Sequence, residues 1–190
     1  MEQFACRILN WNPTREGRDV KADRVVSIFN DLFQESHITA LTGGETEPFY
    51  RVGGENEHGI FFREDFVASA LHEVSHWCLA GPSRRAVNDY GYWYSADRDK
   101  ANQLKFEAVE ARPQALEWIF SVAAGVSFRL SADNLTLKDH DLSDFGRQVK
   151  RHVDKFLLQG LPPRARLFAN ALAGLEVDYT QRRHYEGLTV

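Results

Sequence analysis

The chain has 190 residues, 43% apolar, 12% aromatic and 26% charged, the profile of one ordinary globular domain. Thirteen Phe, six Tyr and four Trp are too much large apolar surface for a disordered chain. The formal charge of −4 offers no net positive field to hold nucleic acid or an anionic membrane. Two cysteines, Cys6 and Cys78, cannot build a disulfide scaffold. The N-terminus lacks the basic start and apolar stretch of a signal peptide, and no run is long and apolar enough to span a bilayer. A cytoplasmic, monomeric protein is expected.

In chain order, residues 1–20 show weak periodicity and a run rich in Asn, Pro, Arg and Gly, and are taken as a loosely ordered lead-in to a single domain over 21–190. Val25, Val26, Ile28, Phe29, Leu32 and Phe33 recur at helical spacing and predict a helix over 23–35. Short apolar pieces at 37–41, 49–52 and 59–62, bracketed by Gly43-Gly44, Pro48 and Gly53-Gly54, predict strands or extended loops of a small sheet. From Asp65, a candidate cap, to Ala80 the apolar residues cover most of a helix circumference, which predicts a buried helix closed by Gly81-Pro82. Residues 87–94 carry four aromatics and read as a short extended region. Helical character resumes over 101–111, is bent or restarted at Pro113, and continues over 114–125, with further helices at 142–160 and 164–174. Arg147, Lys150, Arg151 and Lys155 fall on the solvent face of the 142–160 helix. The fold class is α+β: a single compact domain, mostly helical, with a small sheet.

His72-Glu73-Val74-Ser75-His76 lies within the buried helix. His72 and His76 are four apart, so both imidazoles project from one face and can share a metal ion, with Glu73 at its edge. Two unpartnered imidazoles in an apolar helix would cost several kcal/mol. A metal needs at least one more ligand. The continuation to a Gly and a third His is absent, because Leu79 and Pro82 occupy those positions. A carboxylate from the next helix, Glu107, Glu110 or Glu117, would complete the set. Glu110 is preferred, but periodicity does not separate it from Glu107. Two His and one carboxylate serve either a zinc hydrolase, with Glu73 as general base on a metal-bound water, or a non-haem iron oxygenase.

The run from His72 to Gly81, Arg84-Arg85, Asp89-Tyr90-Gly91-Tyr92-Trp93-Tyr94, the run from Phe106 to Trp118, Val122-Ala123-Ala124-Gly125 and Asp133-Asn134-Leu135 together closely resemble the bacterial elongation factor P hydroxylase family, over roughly residues 25–170. The resemblance implies an enzyme that hydroxylates the lysine at the tip of elongation factor P after that lysine has received a β-lysyl group. It further implies a zinc-peptidase-like fold with the metal site on a buried helix, metal ligands at His72, His76 and Glu110, iron(II) as the working metal with zinc as a possible occupant, and dioxygen as cosubstrate. No 2-oxoglutarate is expected, because enzymes that use it carry their ligands on a β-barrel. On this reading Glu73 holds a ligand or metal-bound water, or pairs with a substrate ammonium. Tyr90, Tyr92, Trp93 and Tyr94 wall a slot for a long cationic side chain. Arg84 and Arg85 meet the acidic body of the protein substrate. Cys78 packs as a small apolar residue. The alternative is a cytoplasmic zinc-dependent peptidase.

Overall fold

Ala22, Val25, Phe29 and Phe33 form the buried stripe of α1 (Ala22–His37), which begins and ends within two residues of the expected limits. The computed structural model describes residues 22–53, 57–91, 98–132 and 141–186; the lead-in lies outside them. After α1 the chain turns through Ile38 into β1 (Thr39–Glu45), β2 (Phe49–Arg51) and β3 (His58–Arg63). The sheet order is β1-β3-β2, with β1 parallel and β2 antiparallel to β3. The Asn30 side chain donates to the Leu41 carbonyl and accepts from the Leu41 amide, clamping α1 onto the edge strand β1. β1 runs past Gly43-Gly44, where the sequence suggested a break. The pairing register shifts there instead, and the Phe62 ring lies so close to Gly43 that a Cβ would stand 2.5 Å from it.

α2 (Val67–Leu79) carries the paired histidines and buries Ala70, Leu71, Val74, Ser75, Trp77 and Cys78. Asp65 does not cap it. The N-cap position is Phe66, with no side-chain hydrogen bond, because the turn through Glu64 and Asp65 ends before the first helical residue. Gly81 is not a left-handed C-cap either. Its φ of −71° and ψ of 172° are extended, and it opens the short helix α3 (Pro82–Arg85).

The carbonyls at the end of α2 are met from elsewhere in the chain. Arg164 Nη2 donates to the carbonyls of Trp77, Cys78 and Ala80 at 3.0, 3.1 and 2.7 Å, and Arg85 donates to Ala80 as well. The Arg164 guanidinium also lies over the Trp77 ring, 4.7 Å from its centroid. Three carbonyls on one charged donor predict that Arg164→Ala costs about 2 kcal/mol and lowers the melting temperature by roughly 4–8 °C. Lys at this position should restore little of it, since an ammonium lacks the planar fork. Thermal unfolding of the two variants checks this.

The expected extended region at 87–94 is, in its described part, a 3₁₀ turn over Asn88–Gly91. Aromatic content suggested a strand. Side-chain bonds from Asn88 and Asp89 to the β2 edge impose the turn instead, Asn88 Oδ1 accepting from Val52 N and Asp89 Oδ1 from Tyr50 N, both at 2.8 Å.

α4 (Lys100–Ala124) is one helix of 25 residues rather than two. Pro113 removes one backbone donor at a cost of about 3 kcal/mol, but α4 is almost wholly buried from Gln114 to Ala124 and packs on α2, α5 (Ser143–Gln159) and α6 (Pro163–Ala173). Burial on that scale outweighs the proline penalty. Asp99 caps its start by accepting from Asn102 N, and Gly125, left-handed at φ 72°, closes it.

α2 therefore lies between β3 on one side and α4 on the other. Phe29, Phe33, Trp77, Phe120 and Phe168 join α1, α2, α4 and α6 in one aromatic core, with centroid separations such as 5.1 Å for Phe29–Trp77 and 5.0 Å for Phe120–Phe168. The described residues make a single compact domain, mostly helical with a small sheet. Among them no helix is long and apolar enough to cross a membrane.

Candidate metal centre

α2 presents His72 and His76 to α4 one turn apart. From α4, Glu110 faces both rings. The three donor atoms are close together: His72 Nε2 to His76 Nε2 is 3.1 Å, His76 Nε2 to Glu110 Oε2 is 3.2 Å, and His72 Nε2 to Glu110 Oε2 is 3.6 Å. Donors each about 2.1 Å from one ion, at angles of roughly 90–110°, stand about 3.0–3.4 Å apart. The tripod therefore has the dimensions of a metal site, and it is the one such group of His, Cys, Asp or Glu among the described residues.

Glu110 Oε2 fits the same conclusion. It is buried and makes no regular hydrogen bond, an arrangement that costs free energy unless a cation occupies the space it faces.

A fourth side chain orders the centre. Glu117 Oε2 lies 2.8 Å from His72 Nδ1. An ionised carboxylate only accepts, so the neutral ring carries its proton on Nδ1 and turns the Nε2 lone pair toward His76 and Glu110. Sequence reasoning placed Glu117 among the possible ligands and missed this pairing. The available signal was the seven-residue spacing from Glu110, two turns along one stripe of α4.

Electrostatics agree with a cation site. Burial pushes the His72 pKa down, but the hydrogen bond to Glu117 and the charges of Glu117, Glu110 and Glu73 outweigh it and raise the pKa to about 10. Burial alone would raise Glu110, yet His76, His72 and Arg98 hold its carboxyl below the ordinary range. Glu73 is half-buried and its pKa is raised, mainly by burial.

Glu107 is turned away from this tripod. It is fully buried and accepts a hydrogen bond from Gln103 Nε2. Gln103 and Gln114 on the same side of α4 bond the backbone of Ser131 and Ala132. Val109 is 37% exposed and lines a cleft. At about 100° per residue, Phe106, Glu110, Pro113 and Glu117 cluster within one narrow sector, and Val109 falls well to one side.

That cleft encloses about 370 Å³ beside the tripod, with His76, Leu79, Arg84, Tyr90, Val109 and Pro113 in its lining. The Tyr90 backbone is held by Arg84, whose Nη1 donates to its carbonyl at 3.0 Å. Arg85 is half-buried on the α2 terminus, whereas Arg84 is exposed at the cleft. Tyr92, Trp93 and Tyr94 lie outside the described residues. Cys78 is buried, and burial pushes its thiol up to about 12, so it packs as an apolar side chain.

Comparison with known proteins agrees in extent with this domain. Elongation factor P lysine hydroxylase of Haemophilus influenzae is 41% identical over 155 residues, which is 80% of this chain and 87% of that protein. Residues 28–184, from α1 to a 3₁₀ turn over Arg182–Tyr185, match the family described as elongation factor P hydroxylase. With the two histidines, Glu110 and Glu117 all inside the matched span, the chain belongs to the elongation factor P hydroxylase family.

Proposed function

We propose that the protein hydroxylates the β-lysylated lysine of translation elongation factor P, with His72, His76 and Glu110 holding a non-haem metal, iron(II) in the working enzyme. Family membership together with the His72–His76–Glu110 tripod, whose carboxylate is buried and whose imidazoles are half-buried, carries this reading. When bound, iron supplies the redox chemistry with dioxygen that hydroxylation of an unactivated C–H bond needs and that zinc does not offer. The chain's own residues hold and orient. Glu117 fixes the His72 ring, Glu110 contributes a negative donor, and Glu73 gives the substrate ammonium a counter-charge at the edge of the centre. The apolar walls of the cleft suit the methylenes of a long side chain and limit the access of water, and Arg84 at its rim suits an acidic protein surface.

A helix bearing both histidines, laid against a small sheet, supports a zinc-peptidase-like fold put to oxygenation. A zinc peptidase with Glu73 as base would use the same three ligands, but the family favours the hydroxylase.

Intact mass of β-lysylated elongation factor P after incubation with the iron-loaded protein in air tests the assignment. A gain of one oxygen is expected, and it should vanish with His72→Ala. No gain under any reductant would overturn the reading, and metal-dependent peptide-bond cleavage would favour the peptidase.

A further inference from the structure

Tyr90 combines several features that its place in the 3₁₀ turn does not require. Asp89 and Tyr90 have left-handed backbones, with φ of 48° and 55°, at two successive residues that are not glycine. Each is strained and persists only where its surroundings over-determine it. Here Asn88, Asp89 and Arg84 supply the hydrogen bonds that do so. The turn thereby drives the Tyr90 side chain inward until the residue is 5% exposed. Its ring stacks on Tyr50 at 4.4 Å and 14°, and lies nearly parallel to the His76 ring at 6.3 Å and 12°.

The ring faces are thus occupied by protein, which argues against Tyr90 using a face to hold a cation. Its hydroxyl differs from that of its stacking partner. Tyr50 donates to the Arg85 carbonyl at 2.9 Å, whereas the Tyr90 hydroxyl is buried with no hydrogen-bond partner among the described residues. A buried phenol in that condition is destabilising unless a ligand completes it. Tyr90 and His76 line the same cleft. A phenol hydroxyl has an oxygen available to accept and a proton available to donate.

We propose that Tyr90 is a substrate-positioning residue whose hydroxyl oxygen accepts a hydrogen bond from an ammonium of the long, amine-bearing side chain that enters the cleft beside His76. This rests on the function proposed above and adds a specific contact to it. Leu79, Val109 and Pro113 pack along the methylenes, and the Tyr90 oxygen receives the nitrogen. An unmodified lysine, shorter by the added β-lysyl group, would not fill the same register, so the contact also bears on selectivity.

Tyr90→Phe keeps the ring, its stack and its volume and removes only the oxygen. Zinc-loaded protein is redox-silent, so equilibrium binding of β-lysylated and unmodified elongation factor P can be measured on it by calorimetry, alongside hydroxylation by the iron-loaded form. Tyr90→Phe is expected to weaken binding of the modified factor, and to raise KM more than it lowers kcat, by roughly tenfold to a hundredfold, with metal affinity and melting temperature retained. Tyr50→Phe, which deletes the other phenol of the stacked pair, should leave the preference for modified over unmodified factor intact. Equal binding by wild type and Tyr90→Phe overturns the proposal while hydroxylation by the wild type still upholds the function. A Tyr90→Phe protein that loses metal or stability in step with binding would assign Tyr90 a purely structural role and overturn it too. Wild type that binds the modified factor through Tyr90 but adds no oxygen would uphold the contact and overturn the hydroxylase reading. Failure of the zinc-loaded wild type to bind the modified factor would overturn the contact.

Discussion

Glu110→Ala is expected to abolish both metal retention and hydroxylation, whereas Glu107→Gln should leave metal stoichiometry and turnover in place. Apparent binding energies of about 10–16 kcal/mol for four-ligand structural zinc sites give roughly 2.5–4 kcal/mol for each ligand. Losing one then weakens metal affinity by about two to three orders of magnitude. Glu110 Oε2 stands 3.2 and 3.6 Å from the two imidazole nitrogens, while Glu107 is engaged with Gln103 on the neighbouring stripe of α4. Metal content after dialysis, paired with product mass, decides between them. Metal loss in Glu107→Gln with retention in Glu110→Ala would exchange their roles.

Glu117→Ala should lower metal affinity by about 10–100-fold, because the His72 ring loses the acceptor that fixes its tautomer and direction. Glu117→Gln should recover part of this, since an amide oxygen can still accept from Nδ1. Competition against a chelator measures both. In protein stripped of metal the same contact has a pH signature. With His72 raised to about 10 against 6.5 in the unfolded chain, the ion pair stabilises the fold fully below about pH 6.5 and its contribution is lost as pH rises toward 10. Glu117→Ala should flatten that decline, and a loaded metal should suppress it, as read by denaturant unfolding across this pH range.

The helical period made most of the architecture legible, together with the histidine pair. α1, α2, α5 and α6 bury the apolar stripes that their spacing describes, and H-E-x-x-H can face only one way on a helix as apolar as α2. The third member of the tripod was less accessible, because Glu107 and Glu110 are both inward and differ only in which neighbour each faces. That distinction belongs to the packing of α4 against α2 and against residues 131–132, not to local sequence. Pro113 misled for a related reason: its cost is local, while the burial that offsets it comes from three other helices. The turn at Asn88–Gly91 was hidden because its left-handed residues are held by hydrogen bonds to β2, some 36–39 positions away. The Arg164 contacts span 84–87 positions, beyond any periodic signal.

That last separation has a consequence for the order in which the molecule can be completed during synthesis. The donors at 72, 76 and 110 leave the ribosome well before α6, yet the end of the helix carrying two of them is tied down by Arg164. A nascent chain that has exposed both histidines and Glu110 still lacks the guanidinium clamp and the Phe168 contribution to the core. The end of α2 is therefore fixed only once α6 has docked against it.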